Sequence, residues 1–411
     1  MNKKRVVVTG LGIVSPIGIG IDPFWRNLTA GRTGIGKIDL FDTKGYRTHE
    51  AGEVKDFNPS KFIDDPEHLS RTSQFALTAA KLAVKDSCLE KKGNFEDAAV
   101  IMGAVAMDAH VVRKINSTGG KRGQNRALRA RLAKEAAIDT PAVVVSREFG
   151  IKNLAYTVAT ACSAGNYAIT LGYDLIQEGK AKTAFCGGVD SFSQAIFAGF
   201  NRLFIVSPDK CRPFDKNRNG MIIAEGAGVL ILEDMDTALA RGARIYSEVL
   251  GYGVSCGAHN LVSPTKNGIK LAMKRAVKNS GLTNKDIDYI NAHGTATPNN
   301  DRNEAKAIRE LFGPHAEKVA VSSNKSVLGH ALSAASIFEA VSCCLSIRDE
   351  IIPPTMNYET PDPECRLNII ANKHKKKKIN IAMNNSFAFG GNNACVIFGR
   401  LKTRGKKCRR A

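Results

Sequence analysis

The chain has 411 residues, 43% hydrophobic and 24% charged, which is enough for one large domain or two ordinary ones. No window reaches the ~18 uninterrupted apolar residues of a membrane span. Ten cysteines without a CxxC pair give neither a disulfide framework nor metal-ligand spacing, which fits a reducing cytoplasm. The net charge of +20 is a matter of patches: residues 113–134 carry eight Lys/Arg, residues 373–411 carry twelve, neither holds an acid, and the remainder balances. Such patches meet nucleic acid, anionic lipid or an acidic protein, or they are a solvated segment and a frayed tail.

In chain order, strand-like and helix-like stretches alternate, which predicts an α/β fold of layered sheets and helices. Residues 5–9 read as a first strand running into a glycine-rich turn; residues 6–12 are too short and Gly-broken for a secretory signal. A helical period covers 74–89, and short buried strands follow at 98–103, 184–188 and 228–232. Residues 106–150 are polar and basic and read as a loop followed by a basic helix. In the second half, strands are predicted at 288–292, 319–322, 379–384 and 394–398, with helices at 267–280 and 330–348.

An internal echo points to duplication. Ala79, Lys81, Ala83, Val84, Lys85, Ser87 and Leu89 recur as Ala272, Lys274, Ala276, Val277, Lys278, Ser280 and Leu282, a constant offset of 193. A strand-like stretch follows each copy. The seam is expected near residues 240–250, dividing the chain into halves 1–245 and 246–411.

Four segments carry candidate chemistry. Thr160-Ala161-Cys162-Ser163-Ala164-Gly165-Asn166 follows an apolar run and opens a helical stretch. A thiol there is either an inert buried cysteine or a nucleophile whose thiolate is favoured by the helix dipole, with small neighbours leaving room for an acyl group. His293-Gly294-Thr295-Ala296-Thr297-Pro298 stands at the carboxyl end of a strand, where open α/β sheets place ligand-facing groups, or holds a histidine bonded within its own turn. Ser322 to His330 is a similar transition presenting Lys325 and His330; its plainer reading is a capped helix start with Lys325 in solvent. Asn384 to Asn393 is a glycine-containing loop between strands, either a hairpin turn or a backbone approach to a reacting carbonyl. Gly10-Leu11-Gly12 imitates a dinucleotide fingerprint without its third glycine or its acidic ribose ligand, so NAD is rejected. The basic runs lack interleaved aromatics, so nucleic-acid binding is unsupported.

Taken together, Cys162, His293, Lys325, His330 and the loop from Phe387 to Asn393 resemble the condensing β-ketoacyl-[acyl-carrier-protein] synthases of the elongating type. The resemblance also covers Arg212-Pro213-Phe214-Asp215 and Glu225 to Gly228. It implies a thiolase-like duplicated five-layer α/β/α/β/α sandwich, an acyl carrier protein as partner, and a homodimer or ketosynthase heterodimer. It also implies no permanently bound cofactor or metal, the substrates being carried on phosphopantetheine. Cys162 would take up an acyl group, and His293 and His330 would stabilise the thioester oxygen as malonyl carrier protein loses CO2. Lys325 would order the site with Glu339 as its partner. Asp301 and Glu304 would support it, Thr295 and Thr297 would hold the pantetheine arm, and Phe387 and Phe389 would border the substrate, Phe389 also gating the acyl pocket.

The sequence departs from the family at three places. Ala388 stands where a glycine is usual before the gating phenylalanine, and Asn392 replaces the usual threonine. Ser333 and Ser336 stand where glycines are common. Residues 106–150 lose the family's pattern altogether, which opens a specialised polyketide or polyene pathway beside fatty-acid elongation. A non-decarboxylating thiolase would need a second cysteine on the final glycine loop, whereas Cys395 falls within the last strand. A catalytically silent chain-length partner is the remaining alternative, and the intact Cys162 and histidines argue against it.

Overall fold

The computed structural model describes residues 4–89, 95–105, 111, 112, 115, 132–257 and 262–401. Most of the basic segment 113–134, and the tail beyond Leu401, lie outside the described residues. The first set of elements is Val6–Ser15 (β1), Arg71–Ser87 (α1), Ala99–Gly103 (β2), Leu154–Val158 (β3), Ala164–Gln177 (α2), Thr183–Asp190 (β4) and Gly226–Asp234 (β5). The second is Ser247–Cys256 (β6), Lys266–Asn279 (α3), Tyr289–Asn291 (β7), Pro298–Phe312 (α4), Ala320–Ser322 (β8), Ser333–Asp349 (α5), Ile381–Phe387 (β9) and Asn392–Gly399 (β10).

The two sets repeat one topology. In the first, the strands lie in the order β1-β5-β4-β2-β3; in the second, β6-β10-β9-β7-β8. Each set therefore places its first strand beside its last, and each has two antiparallel pairings followed by two parallel ones. The halves join where Val6–Val8 pair antiparallel with Ser247–Val249. Outer helix α1 covers β1 and β5, outer helix α3 covers β6 and β10, and α2 and α5 lie between the sheets and touch both. That gives five layers. Helix α5 is buried from Ser333 to Ile347 and has no polar face, as a helix packed on all sides must.

The internal echo has a steric cause. A Cβ on Gly12 would lie 1.9 Å from the carbonyl oxygen of Ala79, and one on Gly253 would lie 2.1 Å from that of Ala272. Ala79 and Ala272 are partners in the 193-residue offset. Strand glycine against helix alanine lets each outer helix settle onto its sheet at close range. Gly10 and Gly12 therefore lie inside a ten-residue strand, whereas the sequence suggested a turn. Helix α5 likewise begins at Ser333, after an irregular segment that frees His330 from the helix.

Candidate active site

The chemistry-bearing residues collect at one end of the duplicated sheet. His293 follows β7, Lys325 follows β8, Phe387 ends β9, and Cys162 precedes α2 in a single turn, Ala161–Ser163. Three non-glycine residues in this zone, Ala161, Ala296 and Leu332, have φ of 50°, 63° and 52°. Each adjoins or lies within two residues of a candidate group (Cys162; Thr295 and Thr297; His330). Such strain, about 1–3 kcal/mol a residue, persists where the surroundings fix a functional geometry.

Cys162, His293, His330, Thr295, Thr297, Phe387 and Phe389 line a single cavity of about 160 Å³. Wider depressions beside residues 306–317 and 82–88, of about 1180 and 830 Å³, contain none of these groups. The two imidazoles meet edge to face with centroids 5.6 Å apart, and Phe387 lies against His293 at 5.9 Å. Phe389 stacks on Phe200.

Hydrogen bonding fixes the tautomers. The Lys325 ammonium carries only donors, and its Nζ lies 3.3 Å from His293 Nδ1, so that nitrogen accepts. The backbone N–H of Leu332 donates to His330 Nδ1 at 3.2 Å. In both rings the proton therefore sits on Nε2. His330 Nε2 has no partner among the described residues. Burial, joined by the charge of Lys325, holds both imidazoles well below their ordinary range, so they are neutral and each offers one N–H.

The acidic positions lie behind the cavity wall. Glu339 hydrogen-bonds Lys325, and both are buried. Glu304 accepts the backbone N–H groups of His293 and Gly294, each at 2.9 Å, and burial raises its carboxyl to about 7. Asp301 accepts the N–H of Phe214 at 2.8 Å and lies 3.9 Å from Arg218. The hydroxyls of Thr295 and Thr297 are 2.8 Å apart.

Burial acts on Cys162 against the helix-dipole expectation. It pushes the thiol up to about 12, with Lys325 the largest opposing influence. A rise of that size corresponds to about 4 kcal/mol against the thiolate. A helix N-terminus returns roughly 0.3–1 kcal/mol, up to ~2 in favourable sites. The resting thiol is protonated.

Several positioning residues carry no chemical signature of their own in the sequence. Ser386 donates to the Cys162 carbonyl at 2.9 Å. Asn166 donates to the carbonyls of Asn384 and Ala394, and Asn384 donates back to Asn166 at 2.9 Å. Ser336 accepts the Asn166 N–H at 3.1 Å, and Ser333 binds Asp190, so both serines found in place of glycine make bonds of their own. Asp190 also accepts the N–H of Val105. Its place at the carboxyl end of a buried strand, like that of His293, was a readable signal.

The duplicated sandwich is the thiolase-like fold. Two family models match the chain: Beta-ketoacyl synthase, N-terminal domain over residues 3–238, and Beta-ketoacyl synthase, C-terminal domain over residues 246–359. A 3-oxoacyl-[acyl-carrier-protein] synthase 2 from Synechocystis sp. is 38% identical over 98% of this chain and 99% of its own. Among solved structures, the ishigamide ketosynthase/chain length factor superposes with a TM-score of 0.91 at 38% identity, covering 97% of this chain and 100% of that one. A ketosynthase structure with a type II polyketide acyl-carrier protein and a bound hexaketide superposes at 0.89 and 30% identity, covering 98% of this chain and 100% of that one. The chain belongs to the β-ketoacyl synthase family, among its elongating condensing enzymes. Its reaction is an elongating condensation, and the silent-subunit alternative is not favoured.

Proposed function

We propose that the chain carries out a decarboxylative Claisen condensation in which Cys162 holds the growing acyl group and malonyl-[acyl-carrier-protein] extends it. The observation that carries this is the pair of neutral imidazoles, each with Nδ1 occupied, facing the same small cavity as the thiol. In the first step the Cys162 Sγ–acyl bond forms as the pantetheine C–S bond breaks, and the thiol proton leaves with the pantetheine sulfur. In the second, the malonyl C–carboxylate bond breaks, CO2 departs, and the electron pair becomes an enolate on the thioester oxygen. The Nε2–H groups of His293 and His330 hold that oxygen. The enolate carbon then attacks the acyl carbonyl, whose oxyanion rests between the backbone N–H groups of Cys162 and Phe389. Collapse releases the Cys162 thiolate, which takes a proton from solvent.

Lys325 sets the His293 tautomer and Glu339 balances its charge, while Glu304 anchors the His293 backbone and Asp301 the Phe214 loop. Thr295 and Thr297 bind the pantetheine arm, Phe387 borders it, and Phe389 gates the acyl pocket. The partner is an acyl carrier protein, which the ketosynthase complex of 30% identity supports. The substrates arrive on its phosphopantetheine with no resident cofactor, and the working unit is a dimer. We divide the chain into halves 1–245 and 246–411 on the repeated strand order. No described helix is long and apolar enough to cross a membrane, and the described cysteines are free thiols, which supports a reducing compartment such as the cytoplasm.

Intact-mass analysis after incubation with acyl-loaded carrier proteins tests the nucleophile. One acyl adduct is expected, absent in Cys162→Ala; an adduct that survives this substitution would refute the assignment.

A further inference from the structure

We propose that the lysine-rich ribbon at Lys373–Lys378 seats the protein on an anionic lipid surface, at the end of the molecule away from the catalytic cavity. Lys375–Lys376 pair antiparallel with Ile351–Ile352, just after α5 ends at Asp349. The ribbon is tied down between its charges. His374 Nδ1 donates to the Thr29 carbonyl and Lys377 Nζ to the Asp288 carbonyl, each at 3.0 Å, and the Lys377 N–H donates to the Glu350 carbonyl at 2.8 Å. Lys373, Lys375, Lys376 and Lys378 are left exposed, with no ion pair among the described residues. Three acids beside the ribbon are engaged elsewhere: Glu350 with Arg400 at 2.9 Å, Asp349 with Arg348 at 2.6 Å, and Asp288 with the N–H groups of Asn380 and Ile381.

More charge of the same sign gathers here. Arg26 and Arg32, both exposed, flank Thr29 in sequence and have no carboxylate partner among the described residues. The Arg400 N–H donates to the Asn380 carbonyl at 2.7 Å, and the sequence after Leu401 adds six Lys/Arg and no acid. Clusters of this size attract anionic headgroups. The chemistry favours lipid over nucleic acid. Lysines present point charges rather than the bidentate forks that grip phosphates in register, and residues 371–380 hold no Phe, Tyr or Trp to stack on a base. A bilayer surface asks only for charge density. Placement agrees with this: the cavity lies by the Ser333 end of α5, so a protein seated on the ribbon keeps the mouth of its site open to solution.

The test is flotation of the full chain with two vesicle sets, one of phosphatidylcholine and one of phosphatidylcholine mixed equally with phosphatidylglycerol. The protein is expected to float with the second set only and to be released as salt is raised. Lys373→Gln, Lys375→Gln, Lys376→Gln and Lys378→Gln combined should weaken this binding about tenfold or more. Lys61→Gln, Lys216→Gln, Lys274→Gln and Lys278→Gln combined remove the same charge from exposed positions elsewhere and should weaken it no more than about twofold. Equal losses in the two variants would assign the binding to net charge and overturn the proposal. So would flotation undiminished in the ribbon variant, absence of flotation with the anionic vesicles, or preference for duplex DNA over those vesicles at equal phosphate concentration.

Discussion

At Cys162 two opposed influences meet, and burial outweighs the helix terminus. The thiolate fraction of such a group rises about tenfold per pH unit while the pH stays below its pKa. Alkylation of Cys162 by iodoacetamide is therefore expected to accelerate steadily from pH 6 to 10; a plateau near pH 7 would show that the dipole dominates. The imidazoles behave in the opposite sense. Their depressed basicity keeps them neutral as pH falls through 6.5, so malonyl decarboxylation should hold its rate down to mildly acidic pH. Lys325 links these groups. Lys325→Ala leaves Glu339 buried without its charge partner and frees His293 Nδ1 to change tautomer. Decarboxylation is expected to fall by about 10²–10³, and denaturant unfolding to register a loss of ~3–5 kcal/mol.

Between elements, stability rests on close approaches and on small polar staples. Gly12→Ala drives a methyl into the Ala79 carbonyl, and Gly253→Ala does the same at Ala272. Each is expected to cost about 1–3 kcal/mol in denaturant melts, with similar values in the two halves because the contact is the same. Asn166→Ala removes bonds that tie the helix following Cys162 to β9 and β10, and it should cost about 1–3 kcal/mol for the buried groups left unpaired. The contrast between Asn166 and Cys162 shows what the sequence makes legible. Cys162, His293, Lys325 and His330 stand out because their chemistry is scarce and each sits at the end of a readable element. Asn166, Ser336 and Ser386 are ordinary polar residues whose roles exist only once two halves meet across 170 or more residues. Gly10 and Gly12 mislead for a related reason. Local reading treats glycine as punctuation, whereas here it marks the approach of a helix from elsewhere. The strand Ser247–Cys256, with four glycines or serines among its buried positions, is hard to see for the same cause.

Over the whole molecule, the described lysines of the C-terminal charge patch lie away from the site. The exposed Lys373, Lys375, Lys376 and Lys378 lie by Ile351–Ile352, just past the end of α5 remote from Ser333. Seventeen helical residues span roughly 25 Å, about three Debye lengths at physiological salt. Charge there is screened from a carrier at the mouth. Replacing these four lysines by glutamine should leave the salt dependence of acyl transfer unaltered; a flattened salt response would place them on the carrier's path. The repeated strand order has a functional consequence at this scale. Each half contributes the same sheet end, so Cys162 comes from one copy and His293 and His330 from the other, closing on a shared cavity. Division of labour between the halves is thus the central claim, and malonyl-[acyl-carrier-protein] decarboxylation measures it most directly. Cys162→Gln is expected to release CO2 without condensation, and adding His293→Ala to that variant should abolish the release. Decarboxylation that survives loss of His293, or that vanishes with Cys162 alone, would contradict the account.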